Sequence, residues 1–571
     1  MKKFVFLITF SLFCQSIFAF EKDIPLLRSG RIKLTEFVSK AYSQKSNEKL
    51  LNFLNQEIKI SRQLQVQRKN LELASAIKFL KLLDADRPKE ELAQWILADE
   101  ERFYEFTYLY TDFDDRKKAL EIVRQLFEHD PKERDKFSKL IFAFSAVWDQ
   151  ERPLIHNFMG NNAPKYEARL TERYDLLKSV YNAKNCPMDL KYLNARMLIY
   201  VVDLPVPVSE MKWSLENEKG RASTWGKKFD DVQYDVPRFN KNQFVWNHGE
   251  YSLESVKKHG GICIDRAYYT AITARSWGIP SMIFTGKGRT GGHAWLGLMK
   301  SARKWTMDVH RYSQGNYSAG KARNPQTNQL INDHELELLV SPEYFSADYD
   351  KAVKINELAK IYIDRKDGKQ AEDFLLDAIK SQALFEEPWN LLYEIYLQDN
   401  RLKEAYDLLR RMSSAFRNHE DRLIDIYNKQ IAVLEKMGRP KDAEYIKKGL
   451  LIKMRNRDDL LAEATSSQAE ELIAGGKKDE ARKVYEKYIR ANGKEGFKII
   501  EVVEAYLEMI VRTAQLEDGI KFLKQMVSKV PASSRGWMEV FLLEAYIKNG
   551  DQKEADKLKE RMKKSKTDID L

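Results

Sequence analysis

Cysteine is nearly absent, with three in 571 residues, and one of them, Cys14, lies in an apolar leader. Two remaining thiols exclude a disulfide-built scaffold, and a chain of this length buries large cores without staples. Past the leader, no apolar run approaches the ~20 residues that a membrane-spanning helix needs. Histidine is also scarce, with eight in the chain. His248, His259, His293 and His310 gather near Cys263 but not at zinc-ligand spacing. The glycine-rich residues 286–292 lack the closing Lys-Ser/Thr pair of a phosphate-cradling loop. No metal or cofactor is expected. Net charge is +11, or +9 once Lys2 and Lys3 leave with the leader. The basic residues are spread along charged helices and form no arm, so nucleic acid is not an expected partner.

Met1-Lys2-Lys3, the apolar run 4–13 and Ile17-Phe18-Ala19 have the order of a secretory signal peptide over residues 1–19. Phe13 precedes Cys14 where a lipoprotein signal wants a small residue, so cleavage near Ala19 is expected over lipid anchoring. The mature protein is then exported, periplasmic or secreted, with Cys186 and Cys263 left. Cys186, in Asn185-Cys186-Pro187, reads as an incidental loop thiol. A Cys186–Cys263 disulfide would silence Cys263, and both are expected to stay free.

Residues 20–203 read as helical, with apolar positions at helical spacing and breaks at Asp130-Pro131 and Arg152-Pro153. Phe103, Phe106 and Tyr110 form a stripe that belongs in a core. At Leu204-Pro205-Val206-Pro207 the texture changes, and an irregular lead-in rich in glycine, proline and aromatics runs to Trp246.

The chemistry gathers in the next stretch. Gly260-Gly261-Ile262-Cys263-Ile264-Asp265-Arg266-Ala267 opens a helix predicted to reach Trp277 and to stop at Gly278-Ile279-Pro280. Strands are predicted over 281–285, 293–299 and 305–308, and residues 313–332 read as a long polar loop. A thiol in the first turn of a helix lies beside free backbone N–H groups and the positive end of the dipole. Both favour the thiolate that attacks acyl groups. A nearby histidine can take the proton and later deliver it to the leaving group, and a carboxylate can hold the imidazole in the useful tautomer. Cys263, Ala267, Ala271 and Ala274 share one helical face, small enough to admit a sheet. Asp265 is expected to cap the helix. His310 is expected on the same sheet face as Asp308.

Gly-Gly-Ile-Cys-Ile-Asp-Arg-Ala, Ala-Arg-Ser-Trp-Gly-Ile-Pro, Gly-His-Ala-Trp and Trp-Thr-Met-Asp, in that order, resemble the transglutaminase-like superfamily. The resemblance covers roughly Tyr251 to Asp308 and implies an α+β, papain-like domain over 204–345. It implies Cys263 as nucleophile, His293 as general base and acid, and Asp308 as orienting carboxylate. The backbone N–H of Cys263 would be one oxyanion donor. The superfamily supplies a second from an upstream side chain, for which Gln243 and Trp246 are the candidates.

Residues 350–571 carry a repeat. Small residues recur at Ala371, Ala405, Ala443, Ala481, Gly519 and Ala555, spaced 34, 38, 38, 38 and 36 apart, most after a turn containing Gly, Asn or Pro. Period and placement resemble tetratricopeptide-like helix pairs, an α-solenoid whose inner surface can take a protein partner. The expected protein is therefore an exported, thiol-dependent acyl-transfer enzyme acting on peptide or protein amides. Hydrolysis, as a peptidase or amidase, is expected first. The alternatives are transglutaminase-type cross-linking and a non-catalytic interaction scaffold.

Overall fold

A computed structural model describes residues 20–564 apart from 44–46, 60–62, 85–89, 242, 290, 303, 313–316 and 454–456. The leader at 1–19 lies outside the described residues. Most of the chain is helical, and the only sheet among the described residues has five antiparallel strands. No helix among those residues is long and apolar enough to cross a membrane.

From Phe20 to Val202 the described chain is helices and turns. Phe103, Phe106 and Tyr110 are buried in its core as the stripe predicts. Its last helix, α1 (Ala195–Val202), leads into the irregular stretch. Within that stretch a short helix, α2 (Val236–Asn240), is capped by Asp235, whose side chain accepts from the Arg238 N–H. Next come α3 (Leu253–His259) and α4 (Cys263–Ser276).

The Gly-Gly pair before Cys263 has a steric cause. Gly260 sits at φ +81°, and a Cβ there would meet the Gln233 carbonyl oxygen at 2.6 Å. One on Gly261 would meet the Asp265 Cβ at 2.5 Å. Residue 261 pairs in parallel with Tyr234, the Gly261 N–H donating to Gln233 O and the Asp235 N–H to Gly261 O. The glycines thus let two backbones meet just where the helix begins.

The strands β1 (Ser281–Lys287), β2 (Gly292–Ser301), β3 (Lys304–Val309), β4 (Lys321–Arg323) and β5 (Leu330–Asn332) form a sheet in the order β3-β2-β1-β4-β5. The first three fall where predicted. β4 and β5 correct the long-loop expectation for 313–332. They are three residues each, too short to show the apolar alternation that marks a half-buried strand. The small face of α4 does meet the sheet: Ala267 and Ala271 pack in one cluster with Ala294 and Leu296 of β2.

After α5 (Asp333–Leu339), the described residues from Ala347 to Lys564 form six helical hairpins. Each of the six recurring small residues is the fourth residue of the second helix of its hairpin and is buried. Five residues before each, at Lys366, Asn400, Gly438, Gly476, Ala514 and Gly550, the backbone adopts positive φ. The repeat is thus set by two positions, a left-handed turn residue and a small contact five residues on. Lys366 and Ala514 are exposed and hold this conformation against their own Cβ. Replacing either with glycine is expected to raise stability by about 0.5–1 kcal/mol, read as a higher urea midpoint, whereas Gly476→Ala should lower it.

The first helices of these hairpins face the rest of the chain. Glu357 pairs with Lys78 of the N-terminal region at 2.8 Å. Asp421 accepts from Asn332 at the end of β5 (2.8 Å), and Arg422 meets Glu335 of α5 at 3.3 Å. Farther along, Glu501 pairs with Lys321 of β4 at 2.7 Å and with Lys287 of β1 at 3.3 Å. Part of the surface expected to take a partner is therefore covered by this chain's own sheet.

Candidate active site

The start of α4 is built on buried charge. Asp265, at its third position, accepts from the Ile262 N–H at 2.9 Å, so it caps the helix as expected. The cap Ile262 has no acceptor of its own, and the carboxylate does that work from inside the first turn. The same carboxylate is ion-paired and hydrogen-bonded to the buried Arg238 of α2. Its other oxygen accepts from Tyr251 Oη at 3.0 Å. Tyr251 in turn lies 2.9 Å from His156 Nε2. Since the tyrosine proton is given to Asp265, His156 is the donor in that second bond. Burial holds the His156 imidazole at about 3, so it stays neutral.

The Cys263 thiol faces three backbone N–H groups that favour its anion: its own, that of Ile264, and that of Ala294 in β2. Burial outweighs them and pushes the thiol up. The residue before Ala294 is His293. Its ring is buried, and burial lowers its pKa. Its Nε2 lies 2.7 Å from the His310 carbonyl oxygen. A carbonyl only accepts, so Nε2 carries the proton and Nδ1 is left as the basic nitrogen. Tyr312 and Tyr317 stack against the ring at 5.0 and 4.9 Å. Burial thus favours the neutral form of each group, the thiol of Cys263 and the imidazole of His293.

Asp308 is not the group that holds this ring. It is exposed and accepts from Thr306 Oγ1. The register explains why. Leu296 stands opposite Val309, the last residue of β3, so Asp308 lies beside Gly297, four residues or roughly 13 Å along β2 from His293. A carboxylate spaced correctly in sequence therefore misses the ring in space, and a main-chain oxygen takes its place. His310 also departs from the expected strand alternation. Its φ is +61°, which ends β3 at Val309 and lays its ring on Phe229 at 4.3 Å. Its Nε2 donates to Gly226 O at 3.0 Å.

Of the two oxyanion candidates, Trp246 is enclosed. Its indole N–H is buried without a hydrogen-bond partner among the described residues, and its ring packs on Tyr251 and His248. The indole N–H presents no exposed surface to a substrate oxygen in this arrangement. Gln243 is exposed, next to Phe244, which packs in the same cluster as Cys263. Arg238, Tyr251 and His156 were not legible as site residues, because only folding brings them to Asp265. The helix signature Asp235-Val236-Pro237, a cap followed by proline in the first turn, could have located α2.

The loop between β1 and β2, which leads into His293, is held by the repeat array. Arg289 pairs with Glu495 at 3.1 Å, and Gly496 lies against the Arg289 carbonyl. Cys186 is free, its thiol donating to Met188 O at 3.0 Å, and Cys263 is free as well. Among the described residues no cluster of three or more His, Cys, Asp or Glu side chains is placed to hold a metal ion. No family model matches the chain, and no curated protein matches it.

Proposed function

We propose that the chain is an exported thiol-dependent acyl-transfer enzyme acting on peptide or protein amides, with a transglutaminase-like central domain and a tetratricopeptide-like tail. The observation that carries this reading is the meeting of two elements. The helix-start thiol of Cys263 packs in one cluster with Ala294 of β2, and His293, the residue before Ala294, has its Nε2 fixed on a carbonyl so that Nδ1 is free to act as the base. His293 Nδ1 takes the thiol proton as Sγ attacks the amide carbon, and the N–H groups at the start of α4 receive the developing oxyanion. Gln243 is the remaining candidate for a second donor. Collapse breaks the C–N bond, and the imidazolium gives its proton to the leaving amine. Water, deprotonated by the same nitrogen, then attacks the thioester and releases the acid and the thiol. Hydrolysis is preferred because nothing in the sequence selects an amine acceptor over water. Export rests on the leader sequence.

The test is iodoacetamide labelling of Cys263 across pH, read by intact mass, in a Cys186→Ala background with and without His293→Ala. Loss of the base should slow labelling at neutral pH by about 100-fold. The sign of the pH dependence follows from burial. A depressed imidazole stays neutral, and so basic, below its ordinary 6.5. The His293-dependent rate should therefore persist below that value and vanish only as pH falls through the lowered one. A rate indifferent to His293→Ala would sink this chemistry and leave the scaffold reading.

A further inference from the structure

Two carboxylates of the N-terminal region are buried without a cation. Asp114, just before the helix Arg116–His129, is 8% exposed, and Asp149, just after the helix Ser138–Val147, is 6% exposed. Asp114 accepts from the Thr111 N–H at 2.6 Å and from Thr111 Oγ1 at 2.7 Å. Asp149 Oδ2 accepts from the Asp115 N–H at 2.7 Å, and its Oδ1 is buried with no hydrogen-bond partner among the described residues. Neither carboxylate is ion-paired among those residues: Arg116 is taken by Asp112 at 2.9 Å and Arg152 by Asp203 at 2.8 Å. A carboxyl group buried with a bare oxygen and no cation is favoured as the neutral acid over the anion.

The two carboxylates border a contact with the sheet. The turn between β4 and β5, residues 324–329, reaches them through the buried Gln326. Its side-chain amide donates to Asp114 at 3.1 Å and to Leu109 O at 3.0 Å. Asn328 of the same turn donates at 2.8 Å to Gln150, the residue after Asp149. Gln150 in turn donates to the carbonyl of Phe113, the residue before Asp114. One carboxylate therefore holds the turn directly, and the other adjoins the residue that holds it. Among the charged and titratable groups that face the pair, Asp115 opposes a charge on Asp149 and Arg116 eases one on Asp114. Tyr110, bonded to Ser145 at 2.7 Å, is kept neutral by burial and by both carboxylates. On the side of the turn, Arg323 donates to Asn328 O at 2.6 Å.

We propose that Asp114 and Asp149 form a pH-sensitive latch, which holds the β4–β5 turn on the N-terminal helices while Asp149 is protonated and loosens as that proton leaves. Burial first, and Asp114 after it, push the Asp149 carboxyl up to about 7. Burial raises Asp114 too, against its hydrogen bonds from Thr111 and Gln326. The folded value of Asp149 thus stands above the unfolded one of about 3.9. The docked turn is therefore most stable while the proton is held, and it loses stability as pH rises from the unfolded value to the folded one. The latch does not depend on the thiol chemistry proposed above.

The test is hydrogen exchange of the full chain across residues 324–329, with each rate divided by the intrinsic rate at the same pH so that base catalysis cancels. Protection of the turn should fall by at least about tenfold between about pH 5 and about pH 8. Asp149→Asn keeps the shape of the neutral acid and should hold the acid-side protection across that range. Asp114→Asn removes the charge that opposes ionisation of Asp149, so the fall should move to lower pH. Flat protection in the unaltered protein, or a fall that survives Asp149→Asn, would overturn the latch. A fall whose midpoint is unmoved by Asp114→Asn would overturn it as well, since the two carboxylates would then not act as a pair.

Discussion

Asp203→Ala is expected to destabilise the protein by roughly 3–5 kcal/mol, the cost of stranding buried charge. Asp203 follows α1 and lies between two buried guanidinium groups. One oxygen accepts from Arg152 at 2.8 Å, the other from Arg275 at 2.9 Å. Arg275 belongs to the last turn of α4 and also donates to Ser281 O in β1 at 3.0 Å. Arg152 reaches Asn328, just before β5, at 3.2 Å. One carboxylate therefore joins the N-terminal helices, the far end of α4 and the sheet. Asp203→Asn keeps the shape and part of the hydrogen bonding but loses the charge, and should cost less than alanine. The two arginines hold the carboxyl below its ordinary value against the opposing effect of burial. A depressed folded pKa gives stability that is fully present above the unfolded value of about 3.9 and is lost as pH falls through the lower folded value. The penalty of Asp203→Asn, measured by urea unfolding, should therefore be largest near neutrality and shrink in acid. A near-wild-type midpoint for Asp203→Ala would mean that the arginines find other partners.

The sequence carried local information and lost the long-range part. The stop of α4, the three main strands and the repeat were legible because each rests on neighbouring residues: Gly278 after Trp277, apolar strand segments, small residues at a fixed period. The start of α4 was legible for the same reason, since its two glycines and Asp265 act within one turn. Asp308 failed because its role depends on register. Register is set by which residues of β2 and β3 face each other, with bulges that no spacing reveals. β4 and β5 failed because they are three residues each, without alternation. The Arg238–Asp265 and Arg152–Asp203–Arg275 groups failed because charged residues give no pattern when their burial is decided by distant partners. The hold of the repeats on the loop before His293 was hidden for that reason too, as Arg289 and Glu495 are 206 residues apart.

That hold supplies the other large effect. Gly496→Ala is expected to release the β1–β2 loop from the repeat array while each part stays folded. Gly496 sits at φ +63°, and a Cβ there would lie 2.1 Å from the Arg289 carbonyl oxygen and 2.8 Å from Ser534 Oγ. The first of these contacts is with backbone and cannot be relieved by a rotamer change. Strain and overpacking together are worth roughly 2–5 kcal/mol. Opposing them are the partly exposed pairs Arg289–Glu495, Lys287–Glu501 and Lys321–Glu501, each worth about 0–1 kcal/mol. The contact should yield before the helices or the sheet do. Hydrogen exchange across residues 286–292 should then rise by at least about tenfold, with the global urea midpoint little changed. About 1 M salt, where the screening length is roughly 3 Å, should weaken the three pairs in the unaltered protein but leave the close backbone contact, and so move exchange less than Gly496→Ala does. The loop runs straight into His293, so its release should also slow the His293-dependent labelling of Cys263. If exchange rises and labelling holds, β2 alone positions the imidazole through the His310 carbonyl. If both change together, the repeat array is part of what sets the active geometry, and its inner acidic residues act on the site through the loop they hold.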